Sequence, residues 1–425
     1  MTTSPADEQR EPTPLVVRTV PVDDPGDLLA LLPGDVGTEA GQGTTAWVRR
    51  GEGIVGWGAA AEVRTSGATR FADAHAWWRD RTRSAVVRDE VQVPGTGLVA
   101  FGSFAFADVS GDSVLVVPEV VVGRRDGKAW VTHIGVSTIS AATAPEPQPA
   151  PPAPEGVHFL DGALSGAEWE SVVADAVRRI DRGDVEKVVL ARDLVARASG
   201  DIDVRWPLQR LSVDYPSCWT FHVDHLFGAT PEMLVRRERG LVTSRVLAGT
   251  IRRTGDDARD LQLAATLARS SKDLEEHEYA VRSVADALAP HCTSMNVPEA
   301  PFVLHLPNVM HLATDVAGVI DDQTTSLELA EALHPSAAVG GTPTEAAVAL
   351  IKQIEGMDRG RYAGPVGWMD ASGDGEWGIA LRSGEIHGDS VRLFAGCGIV
   401  AGSDPAAELA EAQAKFVPVR NALQP

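Results

Sequence analysis

Between Ser165 and Arg182 the apolar residues Trp169, Val173, Ala176 and Ile180 recur at helical spacing, with charged residues between them. The pattern predicts an amphipathic helix that buries one face, and Gly183 is its expected stop. The same periodicity predicts a helix over Phe71–Thr82, where Phe71, His75 and Trp78 share a face. It predicts a long helix over roughly Ala264–Leu288 and another over Glu345–Gly356. Elsewhere the period shortens. Leu15–Val20, Ala46–Val48, Gly97–Phe101, Ser113–Val117 and Lys128–Thr132 are β-prone runs bounded by Gly, Pro or Asp, and Val185–Ala198 alternates as a strand does. Paired strands are expected around Gly364–Trp368 and Gly378–Arg382. Helices and strands mix without regular βαβ alternation and without an internal repeat. That predicts an α+β fold with large mixed, mostly antiparallel sheets flanked by helices.

One stretch has neither period. Ala144–Pro154 reads APEPQPAPPAP, which excludes a core helix or strand and predicts an extended connector. It divides the chain into a tail at 1–14, expected to be disordered, a strand-rich part at 15–143, the connector at 144–156 and a remainder at 157–425. The connector is either a domain boundary or a surface crossover within one unit. The part before it carries no catalytic constellation and reads as scaffold.

Composition narrows the class. With 425 residues, 44% apolar and 23% charged, the chain has material for a large core. No apolar run approaches the ~18 residues of a membrane helix, and the polar start has no apolar segment of the secretory kind. Cys218, Cys292 and Cys397 are scattered, in neither a disulfide nor a zinc spacing, so a cytoplasmic location is expected. The net charge of −21 argues against nucleic acid and anionic membranes as partners. It also means that an anionic ligand must be captured by local charge, metal or backbone dipoles.

The candidate chemistry is concentrated after residue 186. Phe394–Pro405 reads as a glycine-rich loop, with Gly396 and Gly398, that enters a helix bearing Glu408, Glu411 and Lys415. Spacings of three and four place those charges on one helical face. Two carboxylates beside an anion-binding loop point to a divalent cation between them. Asp273 and Glu276 form a second acidic pair three apart; alone it is an ordinary solvated face, but two pairs together supply the oxygen donors that suit Mg²⁺. Lys187 opens a predicted strand, either as a solvated end or as a base for a substrate beside it. Glu232 follows Pro231 in a turn, either as a surface acid or as a carboxyl aimed by the proline. Gly249 and Thr250 offer a backbone N–H and a hydroxyl as a cradle for a carboxylate. Tyr362 and Arg382 add donors, and His311 reads as structural or as a further contact.

Taken in order, these segments resemble the chorismate-utilising enzymes. They are Lys187–Arg192 (KVVLAR), Gly228–Glu232 (GATPE), Leu247–Thr250 (LAGT), Lys272–His277 (KDLEEH), His311–Thr314 (HLAT), His334–Val339 (HPSAAV), Tyr362–Trp368 (YAGPVGW), Arg382, and the Gly396–Lys415 tail. The likeness covers about residues 157–420 and is closest to the isochorismate synthases of that family. It implies one α/β unit in which the N- and C-terminal parts pack together. It also implies conversion of chorismate to isochorismate, a step that feeds menaquinone or siderophore biosynthesis. Lys187 would activate water for attack at C2, and Glu232 would protonate the departing C4 hydroxyl. Mg²⁺ would be held by Glu276 and Glu411 directly and by Asp273 and Glu408 through water. Gly249, Thr250, His311, Ala338, Tyr362, Arg382, Gly396, Gly398 and Lys415 would hold the substrate. Within the family, aminodeoxychorismate synthases carry a nucleophilic lysine where Ala248 stands, anthranilate synthases lack Lys187, and salicylate synthases tend to carry threonine where Ala338 stands. The resemblance therefore implies an isomerase working as a monomer with no obligatory glutaminase subunit. Cys397 departs from the usual alanine and is expected to be inert. Pro418 is expected to end or kink the last helix.

Overall fold

The computed structural model describes residues 13–34, 43–109, 111–136, 146–306, 309–320 and 323–425, and their side chains except those of Lys272 and Glu276. The tail expected at 1–14 lies outside the described residues except for its last two positions, as do the first two residues of the proline-rich stretch. The helices are α1 (Arg70–Ser84), α2 (Gly166–Asp181), α3 (Arg205–Asp214), α4 (Asp257–Leu267), α5 (Ser271–Leu288), α6 (Ser326–Ala332), α7 (Thr344–Ile354) and α8 (Pro405–Ala422). The capping signals explain their limits. In α2 the Ser165 hydroxyl accepts from the Glu168 N–H while the Glu168 carboxylate accepts from the Ser165 N–H, a reciprocal cap that fixes the start. Gly183 ends it with φ of 83° and donates to Ile180 O at 2.8 Å, as a left-handed stop requires.

The strands form two sheets. The larger has 13 strands among the described residues. It begins with His158–Asp161, Lys187–Arg197, Ser390–Val400, Ser383–His387, Leu226–Thr230 and Trp219–Val223, and continues into Thr44–Arg49 and the other N-terminal strands. The smaller has 10 strands. It places Val309–Val319 beside Leu241–Arg252, then Met233–Glu238, Gly375–Ile379 and Pro365–Asp370, and continues into Val99–Ser103 and Ser113–Val117. Pairing among the described strands is antiparallel except between Leu15–Val22 and Val86–Asp89.

Both sheets run across the proline-rich stretch. Thr220 pairs with Val48 in the larger sheet and Gly367 with Gly102 in the smaller. Every residue of Trp219–Val223, Leu226–Thr230, Val99–Ser103 and Pro365–Asp370 is buried, so these strands have no solvent face. The core between the layers includes Trp47, Phe101, Phe104, Phe221, Trp368 and Trp377, each ring withdrawing ~150–250 Å² from water.

Three local expectations change. The helix expected over 264–288 is two helices, because the chain leaves α4 at Ala268 and Ser270 caps α5 by accepting from the Asp273 N–H. The stretch read as a glycine-rich loop is mostly strand, Ser390–Val400, and only the residues from Ala401 to the Asp404 cap form the turn into α8. Pro418 does not end α8, which continues to Ala422 with Phe416, Pro418, Val419 and Ala422 buried. Burial of that last turn outweighs the one backbone hydrogen bond that proline removes.

Candidate active site

The two sheets meet around a cavity of about 440 Å³. Two of its key side chains sit where the chain steps from one sheet to the other. Pro231–Glu232 joins Leu226–Thr230 of the larger sheet to Met233–Glu238 of the smaller, and Ala380–Arg382 makes the reverse step from Gly375–Ile379 to Ser383–His387. Arg382 takes a left-handed backbone with φ of 48°, a conformation that costs a non-glycine residue ~1–3 kcal/mol and aims its side chain into the cavity wall. From the larger sheet come Lys187, Phe394, Gly396 and Gly398; from the smaller come Ala248, Gly249, Thr250 and His311; Asp273, Ala338, Tyr362, Glu408, Glu411 and Lys415 also stand in the lining. The structure thus brings every candidate residue with a described side chain to one cavity. The side chain of Glu276 lies outside the described residues; its backbone is in α5, one turn after Asp273.

Glu232 is buried, and burial pushes its carboxyl up to about 7 against the opposing fields of Lys187, Lys415 and Arg382. At neutral pH a large share of this acid therefore carries a proton. Lys187 is the first residue of its strand, opposite Val400. A Cβ on Gly398 would lie 2.8 Å from Lys187 Cε, and one on Gly396 would lie 2.8 Å from Leu190 O. The two glycines leave room for the lysine side chain and the neighbouring strand.

Gly249 lies within Leu241–Arg252, at a bulge where the ladder to Val309–Val319 skips a residue. Its φ of 75° suits glycine, and a Cβ there would lie 3.2 Å from the Asp273 Cβ. The next residue, Thr250, has its hydroxyl 2.9 Å from Nδ1 of His311. Burial first, then the charges of Arg382 and Lys415, lower the His311 pKa to about 3, so the ring is neutral. Its Nε2, like Nη1 of Arg382, is buried with no partner among the described residues. Polar atoms left so in a cavity wall suit a ligand that brings its own oxygens. Tyr362 stacks on Phe394 at 5.1 Å, and burial pushes its phenol up, which keeps it a neutral donor. Phe394, Leu247, Leu381 and Val339 supply the apolar wall.

Lys415 donates to Gly396 O at 2.9 Å and lies 2.8 Å from Glu411 Oε1. Burial first raises Glu408 above the usual carboxylate range; the Ser403 hydroxyl, donating at 2.8 Å, opposes the rise and the Glu411 charge adds to it. The donor atoms of Cys397, Glu408 and Glu411 lie within 4.8 Å of one another. Cys397 is a poor ligand. Its thiol is buried, pushed up to about 12 by that burial, and hydrogen-bonded to Glu408 O at 3.3 Å. The remaining donors, including Asp273 in the same cavity, are carboxylate oxygens, and that set fits a hard divalent cation such as Mg²⁺.

Arg359, also in the cavity lining, carries no local signal in the sequence. This buried guanidinium donates to Glu355 at 2.7 Å through Nε and through Nη2, to Val339 O at 2.9 Å and to Val189 O at 2.7 Å. Glu355 in turn accepts from the Ala191 N–H at 2.6 Å. The pair ties the Lys187 strand, the Val339 segment and the end of α7 together behind the cavity. In sequence, Glu355 and Arg359 look like an ordinary surface pair four apart; nothing local marks them as buried.

The model of the family described as "Chorismate binding enzyme" matches residues 6–424. The "Isochorismate synthase MenF" of Bacillus subtilis is 37% identical over 264 residues, 61% of this chain and 56% of that protein's length. The "Salicylate biosynthesis isochorismate synthase" of Pseudomonas aeruginosa is 36% identical over 394 residues, 86% of this chain and 82% of that protein. The solved structure of MenF, the menaquinone-specific isochorismate synthase of Escherichia coli, superposes with a TM-score of 0.81 at 26% identity, covering 98% of this chain and 97% of that one. These likenesses agree with mixed helices and large antiparallel sheets as the family fold. No helix among the described residues is long and apolar enough to cross a membrane.

Proposed function

The chain belongs to the chorismate-binding enzymes, and from that premise we propose that it is an isochorismate synthase, an isomerase that converts chorismate reversibly to isochorismate. The observation that carries the reading is that Lys187 and Glu232 line one cavity, with the buried carboxyl pushed up to about 7 by its burial. Lys187 takes a proton from the water that attacks C2. Glu232 gives a proton to the C4 hydroxyl, which leaves as water as the double bond shifts. One water enters and one leaves, so substrate and product are isomers. Arg382, Lys415, Tyr362, Thr250 and His311, with the backbone at Gly249, Gly396 and Gly398, hold the two carboxylates. These local cations offset the −21 net charge where the dianion binds.

Asp273, Glu276, Glu408 and Glu411 would hold Mg²⁺, which when bound neutralises and orients a carboxylate of the substrate. Glu411→Ala is expected to raise the midpoint of the Mg²⁺ activation curve by more than about 10-fold, the low end of what loss of even an outer partner costs. An unchanged midpoint moves the metal elsewhere. Isochorismate supplies both menaquinone and siderophore routes, and the names of the relatives divide between them.

The test is the purified chain with chorismate and Mg²⁺, followed by chromatography. Isochorismate without pyruvate is the expected product. Salicylate with pyruvate would instead make the chain a salicylate synthase, and turnover only with ammonia or a glutaminase would make it an aminating enzyme. Ala248 and Ala338, both in the cavity lining, support the first outcome.

A further inference from the structure

Behind Glu232 a small void adjoins the active-site cavity and shares wall residues with it. Glu232 and Ala338 also line a narrow passage of about 20 Å³, and Ser283, Val284 and Ser336 of that passage also line a second cavity of about 680 Å³. Of the Ser336–Ala338 segment, Ala338 lines the active-site cavity and Ser336 lines the second cavity. Its walls include the exposed residues Ser283, Ala332, Glu345 and Ala349, and Lys352 pairs with Asp108 at 2.6 Å beside it. A passage of this size holds one water, which needs roughly 10–15 Å³, and excludes a substrate ring.

Two polar side chains of the passage are committed elsewhere. Ser244 donates to Leu234 O at 2.6 Å, and Arg245 makes a two-pronged pair with Asp315 at 2.7 and 2.8 Å. Ser336 differs: its hydroxyl oxygen is buried with no partner among the described residues. A buried hydroxyl in a one-water space beside a carboxyl is the setting in which a bridging water is expected.

Resting on the isochorismate synthase reading, we propose that one water in this passage, positioned by Ser336, returns the proton to Glu232 after each turnover from solvent on the rear face. The reaction itself leaves Glu232 one proton short and Lys187 one proton rich. Bound substrate occupies the space between them. In the reset, an O–H bond of the passage water breaks as one forms on the Glu232 carboxylate. The water recovers its proton from the rear cavity, and Lys187 releases its own to the front. No group is oxidised or reduced. Ser336 is a positioning residue and does not touch the substrate.

The proposal is tested by Ser336→Ala, with Ser336→Thr as the conservative partner and Ser283→Trp, on the exposed face of α5, as a plug at the rear mouth. Ser336→Ala and Ser283→Trp are each expected to lower kcat by roughly 10-fold, less than the ~10²–10⁴ for loss of a general acid, with KM for chorismate unchanged. The solvent deuterium isotope effect on kcat should rise in both, and Ser336→Thr should restore the unmodified values. If Ser336→Ala or the plugged variant keeps both kcat and isotope effect, the proton returns by the front and the proposal fails. If the unmodified chain makes no isochorismate, the functional reading fails first.

Discussion

Lys187→Ala is expected to lower isochorismate formation by about 10³-fold while chorismate and Mg²⁺ bind near their unmodified affinities. The asymmetry follows from how the site is built. In the proposed reading, substrate binding would be spread over Arg382, Lys415, the Thr250–His311 pair and backbone on both sheets, all in the cavity wall. Water activation would rest on a single amine at the start of one strand. Removing that side chain leaves a gap over Gly398, whose missing Cβ would have stood 2.8 Å from Lys187 Cε. The strand itself keeps its pairing to Val400 and Thr342. Steady-state kcat measured beside a calorimetric chorismate titration separates the two effects. Turnover retained in the variant refutes the base assignment, and loss of binding with kcat unchanged makes Lys187 a carboxylate contact instead.

Glu232→Gln is the second large effect. The amide keeps the shape and cannot deliver a proton, so kcat should fall by ~10²–10⁴. The unmodified enzyme carries the matching pH signature. Burial raises this carboxyl to about 7, and in the proposed role the acid form is the working one. Activity in the forward direction should therefore fall as pH rises through about 7 and hold below it until another group titrates. An ordinary carboxylic acid would lose its proton near pH ~4.3, and its activity would already be gone at neutrality. A pH profile of kcat/KM, which reports the groups of the free enzyme, checks the sign. A rise in kcat/KM through neutrality assigned to Glu232 would make it a base, which the proposed direction of proton flow does not allow.

The parts of this molecule that could be read from the chain are those specified locally. Helix α2 follows from Ser165, Glu168, the Trp169–Ile180 stripe and Gly183, all within one segment. The candidate site residues were legible only as an ordered set of short motifs, since Lys187, Glu232 and the Asp273–Glu276 pair each read singly as ordinary surface features. Three things were not legible. The continuous helical period across Ala264–Leu288 hid the break at Ser270, since the apolar stripes of α4 and α5 stay nearly in phase. Gly396 and Gly398 suggested a loop because glycine is frequent in loops; their actual reason is close approach of two strands and a lysine, a fact about partners far away in sequence. The Glu355–Arg359 pair was invisible for the same reason, because its burial depends on Phe106, Val189 and Val339. The choice of strand neighbours across residues 144–156 likewise depends on non-local pairing that periodicity does not encode.

That pairing bears on how such a protein can be cut, fused or inherited. All the proposed chemistry lies after residue 186, which invites the idea of a free-standing catalytic module. Yet Trp219–Val223 borders Thr44–Arg49, and Pro365–Asp370 borders Val99–Ser103. Deleting the first third would strip both sheets along fully buried strands and expose two long apolar edges, a template for aggregation. The N-terminal part is thus not an accessory that recombination can add or discard. Among the described residues it supplies six of the 13 strands of one wall and three of the 10 of the other, the walls on which the candidate catalytic residues stand.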